Sequence, residues 1–221
     1  MEQNHPRRMG NYNPNPTRRL DNSHHNLYNV TFHSDTILTL LTSNPSEVHS
    51  WLSDILRRHH RRRLQSTLLV GLDIEWRPNF RRGMNNPVAT LQLCVGRRCL
   101  VFQILHAPFI PTSLVSFLGD ANHTFVGVGI QGDVQKLLED CSLRVANFVG
   151  LRSLAVEKLS DSMLNTAGLK TLGQRVLRVA VDKPKKITKS RWDNVWLSAE
   201  QVQYAAVDAF VSFEIGRCLS S

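Results

Sequence analysis

The sequence has few of the features that mark secreted, disulfide-rich or membrane proteins. Its 221 residues contain four cysteines, and no apolar run approaches the roughly 20 residues of a membrane span. The polar N-terminal stretch predicts no secretory leader. The cysteines show no CxxC pair and no zinc-ligand spacing, so we expect reduced, mostly buried thiols. They are Cys94, Cys99, Cys141 and Cys218.

Acidic residues are scarce relative to basic ones. The chain has 18 Asp and Glu against 27 Lys and Arg, which gives a net charge of +9. A charge of this sign favours a polyanionic partner, and nucleic acid is the commonest. Nothing in the composition favours a membrane partner, and no sequence feature indicates the oligomeric state.

The chain length suits one domain preceded by a tail. Residues 1–25 are rich in Asn, Pro, Arg and His without periodicity, which predicts a disordered polar tail. A helix predicted from Pro45 ends in a basic run at 57–63. That run is a solvated helix terminus, a phosphate-contacting patch or a nuclear-import signal. The last of these would place the protein in the nucleus, with the cytoplasm as the alternative.

The remaining elements follow from hydrophobic periodicity, which places strands mainly in the first half and helices in the second. Strands are predicted at 28–32, 36–41, 68–76, 88–95, 99–102, 124–128 and 145–149. Further helices are predicted at 114–118, 131–140, 151–159, 169–177 and from 198 to about 218.

Two acids interrupt the apolar strand at 68–76. Asp73 and Glu75 stand two apart, and because strand side chains alternate between faces, both carboxylates fall on the face opposite the large apolar residues. Such close carboxylates repel each other unless a cation lies between them, and hard ions such as Mg²⁺ prefer carboxylate oxygen. The pair is therefore part of a metal site or a polar stripe that faces solvent.

A glycine-rich turn follows the strand predicted at 124–128. Gly127, Gly129 and Gly132 match the GxGxxG dinucleotide pattern, but the next strand lacks the acid that this motif requires at its end. We therefore interpret the glycines as sites of close backbone approach. Asp133 follows in the first turn of a helix, where it either interacts with the helix dipole or leans toward the sheet.

The last predicted helix carries a tyrosine and an acid on one face. Ser198 and Gln201 form a capping-box pattern that fixes its start. Tyr204 and Asp208 then lie one turn apart among apolar residues, where a semi-buried Asp is costly unless it is compensated. The pair is a structural hydrogen bond, or a metal-binding carboxylate with a phenol near the reaction centre.

The order Asp-x-Glu, Gly-Asp and Tyr-x-x-x-Asp resembles the DEDDy group of 3′–5′ exonucleases, and within it the Werner-syndrome-type exonuclease domain in its stand-alone plant form. The resemblance covers residues 26–218, so that 26–221 would be the exonuclease domain. Its strongest stretches are 71–80, 128–133, 168–172 and 197–209, and it departs from the family pattern at 151–166 and 181–191.

The resemblance implies a ribonuclease-H-like α/β fold, a mixed sheet flanked by helices. It also implies a metal-dependent enzyme that removes 5′-mononucleotides from DNA or RNA 3′ ends by hydrolysis with two Mg²⁺ or Mn²⁺ ions. By this resemblance Asp73, Glu75 and Asp208 would bind the ions directly. Asp133 would hold the second ion through water, and Tyr204 would orient the attacking water.

Basic and aromatic residues next to these motifs are candidates for nucleic-acid binding. Phosphate contacts and base stacking are the functional interpretation, and solubilising charge and core packing are the alternative. The candidates are Trp76, Arg77, Arg81, Arg82, Lys185, Lys186 and Arg191. Trp76 and Trp192 could both stack on bases, but core packing is more typical of both.

One rival function belongs to another class. A catalytically silent relative would use the same fold to bind nucleic acid or to serve as an assembly module. The presence of all four acids and of Tyr204 argues against a silent relative.

Overall fold

The computed structural model of the protein describes residues 18–19, 27–61, 67–79, 81 and 83–220. The predicted disordered tail at 1–25 lies outside these residues, except for Arg18–Arg19. Those two residues form a short strand, β1, that pairs antiparallel with Tyr28 and Asn29.

A mixed sheet of eight strands lies at the centre of the described chain. After β1 its strands are β2 (Leu27–Phe32), β3 (Asp35–Thr42), β4 (Leu68–Trp76), β5 (Val88–Val95), β6 (Arg98–Phe102), β7 (His123–Gly127) and β8 (Phe148–Gly150). Their order is β1-β2-β3-β6-β5-β4-β7-β8. Strand β4 therefore lies inside the sheet, antiparallel to β5 and parallel to β7.

Seven α-helices accompany the sheet in the described residues. They are α1 (Pro45–Arg61), α2 (Thr112–Gly119), α3 (Ile130–Cys141), α4 (Leu151–Leu159), α5 (Leu169–Leu172), α6 (Lys185–Thr188) and α7 (Ala199–Leu219). A π-helical turn, Gly173–Leu177, extends α5. The predicted elements are confirmed within a few residues, whereas α6 was not predicted. None of the described helices is long and apolar enough to cross a membrane.

The basic run at the end of α1 is partly neutralised by an acid of the same helix. Arg57 and Arg58 each bind Asp54 at 2.6 Å. These pairs fit the interpretation of a solvated helix terminus. Residues 62–63 of the run lie outside the described residues.

Strand β4 separates two apolar cores, as its alternation predicts. Val70, Leu72 and Ile74 are buried in the core that α1, α2 and α3 cover. Helix α7 packs on the opposite face of the sheet, where its apolar residues form the second core. Asp73 and Glu75 therefore point toward the α7 side of the sheet.

Two glycines permit close backbone contacts around β4. A Cβ atom at Gly71 would lie 2.0 Å from the carbonyl oxygen of Ala209 in α7, and one at Gly127 would lie 2.7 Å from that of Leu72. Gly129 adopts a left-handed backbone with φ of 83°. The interpretation of close backbone approach is therefore confirmed at Gly127, whereas Gly129 serves the turn and a Cβ atom at Gly132 would meet nothing within 4 Å.

The prediction of reduced thiols is wrong for two of the four cysteines. Cys94 and Cys99 form a disulfide across β5 and β6, with Cα atoms 4.3 Å apart. A two-residue hairpin that begins at Gly96 sets the register of these strands and places the cysteines directly opposite each other. Cys141 is a half-buried thiol and Cys218 an exposed one.

Candidate active site

Three carboxylates from two distant parts of the sequence converge where β4 ends. Asp73 and Glu75 come from β4 and Asp208 comes from α7, and each offers an oxygen within 4.8 Å of the others. Asp208 is buried, with 2% of its surface exposed, and the other two are half-buried. The close approach of Gly71 to α7 brings the helix near enough to β4 for Asp208 to reach the other two carboxylates. The alternative of a solvent-facing polar stripe on β4 is therefore wrong.

Asp133 stands at the edge of this cluster. It lies half-buried in the first turn of α3, and its charge raises the pKa of Asp73. Its oxygens do not join the group of three that lie within 4.8 Å.

Burial dominates the electrostatics of all four acids. Burial, followed by the charges of Asp208 and Asp133, raises the pKa of Asp73 well above its ordinary value. Burial and the charge of Asp73 do the same for Glu75. Burial also raises the pKa of Asp133 to about 7. The cluster thus holds more negative charge than its surroundings compensate, which favours uptake of protons or cations.

The lack of compensating positive charge is clearest at Asp208. Its Oδ1 atom is buried and has no hydrogen-bond partner among the described residues. Its Oδ2 atom lies 2.5 Å from Lys183 Nζ. Burial raises the pKa of Asp208, and the Lys183 ammonium opposes that shift. A buried carboxylate oxygen without a hydrogen-bond partner is well suited to bind a cation.

Tyr204 lies one turn before Asp208, as the i and i+4 spacing predicts. The capping box is present, because Ser198 Oγ accepts from the Gln201 amide at 3.2 Å and Gln201 Oε1 accepts from the Ser198 amide at 2.9 Å. Thr188 Oγ1 donates to Tyr204 Oη at 3.5 Å. Burial and the charge of Asp208 raise the pKa of Tyr204.

Lys183 is a site residue that sequence reasoning missed. Besides its ion pair with Asp208, its Nζ atom lies 5.1 Å from the centre of the Tyr204 ring. The residue belongs to an irregular segment without periodicity, so no pattern separated it from the neighbouring lysines. The one available signal was its position between two apolar residues, Val181 and Ile187, which are both buried.

The nucleic-acid candidates occupy different environments. Arg77 and Arg191 both bind Asp193, at 3.3 and 3.1 Å, so this acid partly neutralises them. Lys185 and Lys186 are exposed in α6. Arg81 is also exposed, and Arg82 lies outside the described residues.

Trp76 and Trp192 differ in accessibility. Trp76 is half-buried at the end of β4, and Lys136 Nζ lies 5.3 Å from the centre of its ring. Trp192 is fully buried and packs against Tyr204, with ring centres 5.9 Å apart. Trp192 is therefore a core residue, whereas the ring of Trp76 is partly accessible.

Known proteins resemble this chain in fold or in sequence. Escherichia coli RNase D superposes with a TM-score of 0.67 over 81% of this chain and 44% of that one, at 17% identity. The likeness shows the fold and confirms the ribonuclease-H-like mixed sheet. A 3′-5′ exonuclease of Arabidopsis thaliana is 38% identical over 152 residues, which cover 68% of this chain and 52% of the relative.

A second relative is much longer. The bifunctional 3′-5′ exonuclease/ATP-dependent helicase WRN of Mus musculus is 37% identical over 154 residues, 69% of this chain and 11% of the relative. The chain thus spans about half the length of the plant relative and a small part of the mouse protein. Residues 51–221 match the profile of the 3′-5′ exonuclease family. The chain therefore belongs to the 3′-5′ exonuclease family.

Proposed function

We propose that this chain is a metal-dependent 3′–5′ exonuclease that hydrolyses phosphodiester bonds at nucleic-acid 3′ ends and releases 5′-mononucleotides. The observation that carries the proposal is the convergence of Asp73, Glu75 and Asp208 from β4 and α7. Membership of the exonuclease family supports the same reaction.

The donor set fits divalent ions such as Mg²⁺ or Mn²⁺. All three converging groups are carboxylates, which are hard oxygen donors, and Asp208 Oδ1 is buried without a hydrogen-bond partner in the described structure. Asp73, Glu75 and Asp208 would hold the ions, with Asp133 assisting at a second one. When bound, two such ions lower the pKa of water and neutralise charge on the phosphate and the leaving 3′ oxygen.

Tyr204 acts as a hydrogen-bond donor in this proposal. Because burial raises its pKa above the ordinary value near 10, the phenol stays protonated at neutral pH. A protonated phenol does not act as the general base. It orients the attacking water beside Asp208, where its ring is fixed against Trp192.

The basic residues around the cluster supply the substrate contacts. Arg81, Lys185 and Lys186 are exposed and free to approach phosphates, whereas Arg77 and Arg191 would exchange Asp193 for a phosphate. Arg82 and Trp76 complete the proposed set. For location we propose the nucleus, with the cytoplasm as the alternative, on the strength of the basic run that ends α1.

The test is a cleavage assay on DNA and RNA strands labelled at the 5′ end, in single-stranded and 3′-recessed form. With Mg²⁺ or Mn²⁺ we expect a ladder of shortened products, and none in EDTA. Asp73→Asn should remove the ladder because it replaces a charged metal ligand with a neutral group of the same shape. The control Glu157→Gln removes an exposed acid on α4 and should leave the ladder intact. Binding without shortening, with either ion, would favour the silent binding module.

A further inference from the structure

A lysine already occupies the acidic site. Lys183 Nζ lies 2.5 Å from Asp208 Oδ2, and the charge of Lys183 also acts on Asp73 and Glu75. Among the described residues, no other ion pair joins a cation to these three acids. The ammonium is therefore the counter-charge of the site within the described protein.

The fold holds the Lys183 backbone firmly while its side chain stays accessible. Val181 is buried beside Gly173, where an added Cβ would lie 2.7 Å from Val181 Cγ2, and Ile187 is buried in the α7 core. Further along, Gln201 Nε2 of α7 donates to Ser190 Oγ at 2.9 Å. The Lys183 side chain is 33% exposed, so it reaches the carboxylates from the protein surface. Its long, flexible stem can withdraw without any shift of these anchors.

One ammonium compensates the cluster only in part. Asp73, Glu75 and Asp208 each offer an oxygen within 4.8 Å of the others, and among the described residues only Asp208 of the three forms an ion pair with the ammonium. The ammonium contacts Oδ2 of Asp208, and an incoming divalent ion would bind the Oδ1 atom of the same carboxylate. Two cations that share one carboxylate repel each other, so an ion that binds Asp208 weakens the hold on Lys183.

We propose that Lys183 is the resident cation of the metal-free site, that it competes with divalent ions for Asp208, and that ion binding releases it. The released ammonium lies at the open side of the site, where it meets the phosphate of the nucleic acid. The inference rests on the proposed metal-dependent function and adds a positioning residue to it. A lysine that only braced α7 would stabilise the fold without opposing ion binding.

Calorimetric titration of the full chain with Mn²⁺, without nucleic acid, tests the competition. We expect Lys183→Met to bind Mn²⁺ about tenfold more tightly than wild type, within the usual range for coupled sites. The control Lys158→Met removes an exposed lysine from α4 and the same net charge, so it should bind as wild type does. Equal or weaker binding by Lys183→Met overturns the inference and leaves the proposed function standing. No Mn²⁺ uptake by any variant overturns both.

A second measurement uses the unmodified chain and does not depend on the folding of a variant. The lysines of wild type are acetylated briefly in EDTA and in saturating Mg²⁺, and each site is quantified by peptide mass spectrometry. We expect Lys183 to react several-fold faster with Mg²⁺, because ion binding frees its ammonium from Asp208. Lys158 should react equally in both conditions. A Lys183 reactivity that Mg²⁺ leaves unchanged or lowers overturns the inference.

Discussion

The four site acids differ from ordinary surface acids because they are buried together. Burial comes first among the causes that raise the pKa of Asp73, Glu75, Asp133 and Asp208. An acid with a raised folded-state pKa binds a proton that the unfolded chain releases, so deprotonation destabilises the metal-free fold. The site is thus built to gain stability from a bound cation.

The clearest pH effect belongs to Asp133, whose pKa rises from 3.8 to about 7. The stability that its protonated form contributes is complete below about pH 4 and is lost as the pH rises through about 7. In EDTA we expect the free energy of unfolding to fall more steeply between about pH 5 and 8 in wild type than in Asp133→Asn. The difference should be about 2 kcal/mol, measured by urea unfolding at each pH.

Asp120→Asn is the control for this measurement. A hydrogen bond from the Asn122 backbone amide lowers the pKa of Asp120, so its contribution to stability is lost as the pH falls. Replacing Asp120 therefore cannot reduce the loss of unfolding free energy that accompanies rising pH. Equal declines in wild type and in Asp133→Asn would contradict the raised pKa of Asp133.

Tyr204 offers a second test at the residue scale. In Tyr204→Phe we expect the single-turnover cleavage rate to fall roughly 10²-fold, as for loss of one positioned donor, while the ring keeps its packing on Trp192. The free energy of unfolding should change by about 1 kcal/mol or less. Tyr28→Phe changes the other described tyrosine, in β2, and should cleave at the wild-type rate. A full rate with Tyr204→Phe would remove the proposed role of the phenol.

Periodicity predicted the elements of the site because each of its main residues lies on a regular element. Alternation placed Asp73 and Glu75 on one face of β4, and the i and i+4 spacing placed Tyr204 beside Asp208 in α7. Lys183 lies in an irregular segment, where position in the sequence sets no direction for a side chain. The Cys94–Cys99 pairing depended on hairpin register, which the spacing of the two cysteines did not reveal.

The packing of α7 on β4 depends on Gly71. An alanine there would place its Cβ 2.0 Å from the Ala209 carbonyl oxygen and 2.8 Å from the Phe213 nitrogen, and both are backbone atoms that cannot move alone. We expect Gly71→Ala to destabilise the protein by about 3 kcal/mol or more and to abolish cleavage, because Asp208 moves away from β4 with the helix. Urea unfolding and the cleavage assay measure the two effects.

Gly119→Ala is the matched control at the end of α2, because a Cβ there meets no atom within 4 Å. It should change the free energy of unfolding by less than about 1 kcal/mol and leave cleavage unchanged. If Gly71→Ala proved as mild as Gly119→Ala, then close backbone approach would not be what positions Asp208.

For the molecule as a whole, composition predicted the sign of the surface charge, and motif order predicted the family and the fold. What composition could not predict is which cations are free. Asp193 engages Arg77 and Arg191, and Asp54 engages Arg57 and Arg58, so these charges are already paired. The net charge of +9 therefore does not identify which cations can meet phosphates without first breaking an ion pair.

The salt dependence of nucleic-acid binding measures how many cations of the protein contact phosphates. In an Asp73→Asn background, which prevents cleavage, affinity for a single-stranded oligonucleotide should fall as salt rises, with a slope of about 0.7 per phosphate contact on a logarithmic scale. Adding Lys185→Gln and Lys186→Gln should lower that slope by about 1.4, because both lysines are exposed on α6. Lys158→Gln, on α4, should leave it unchanged. A slope that the α6 changes did not alter would mean that these lysines only solubilise the protein.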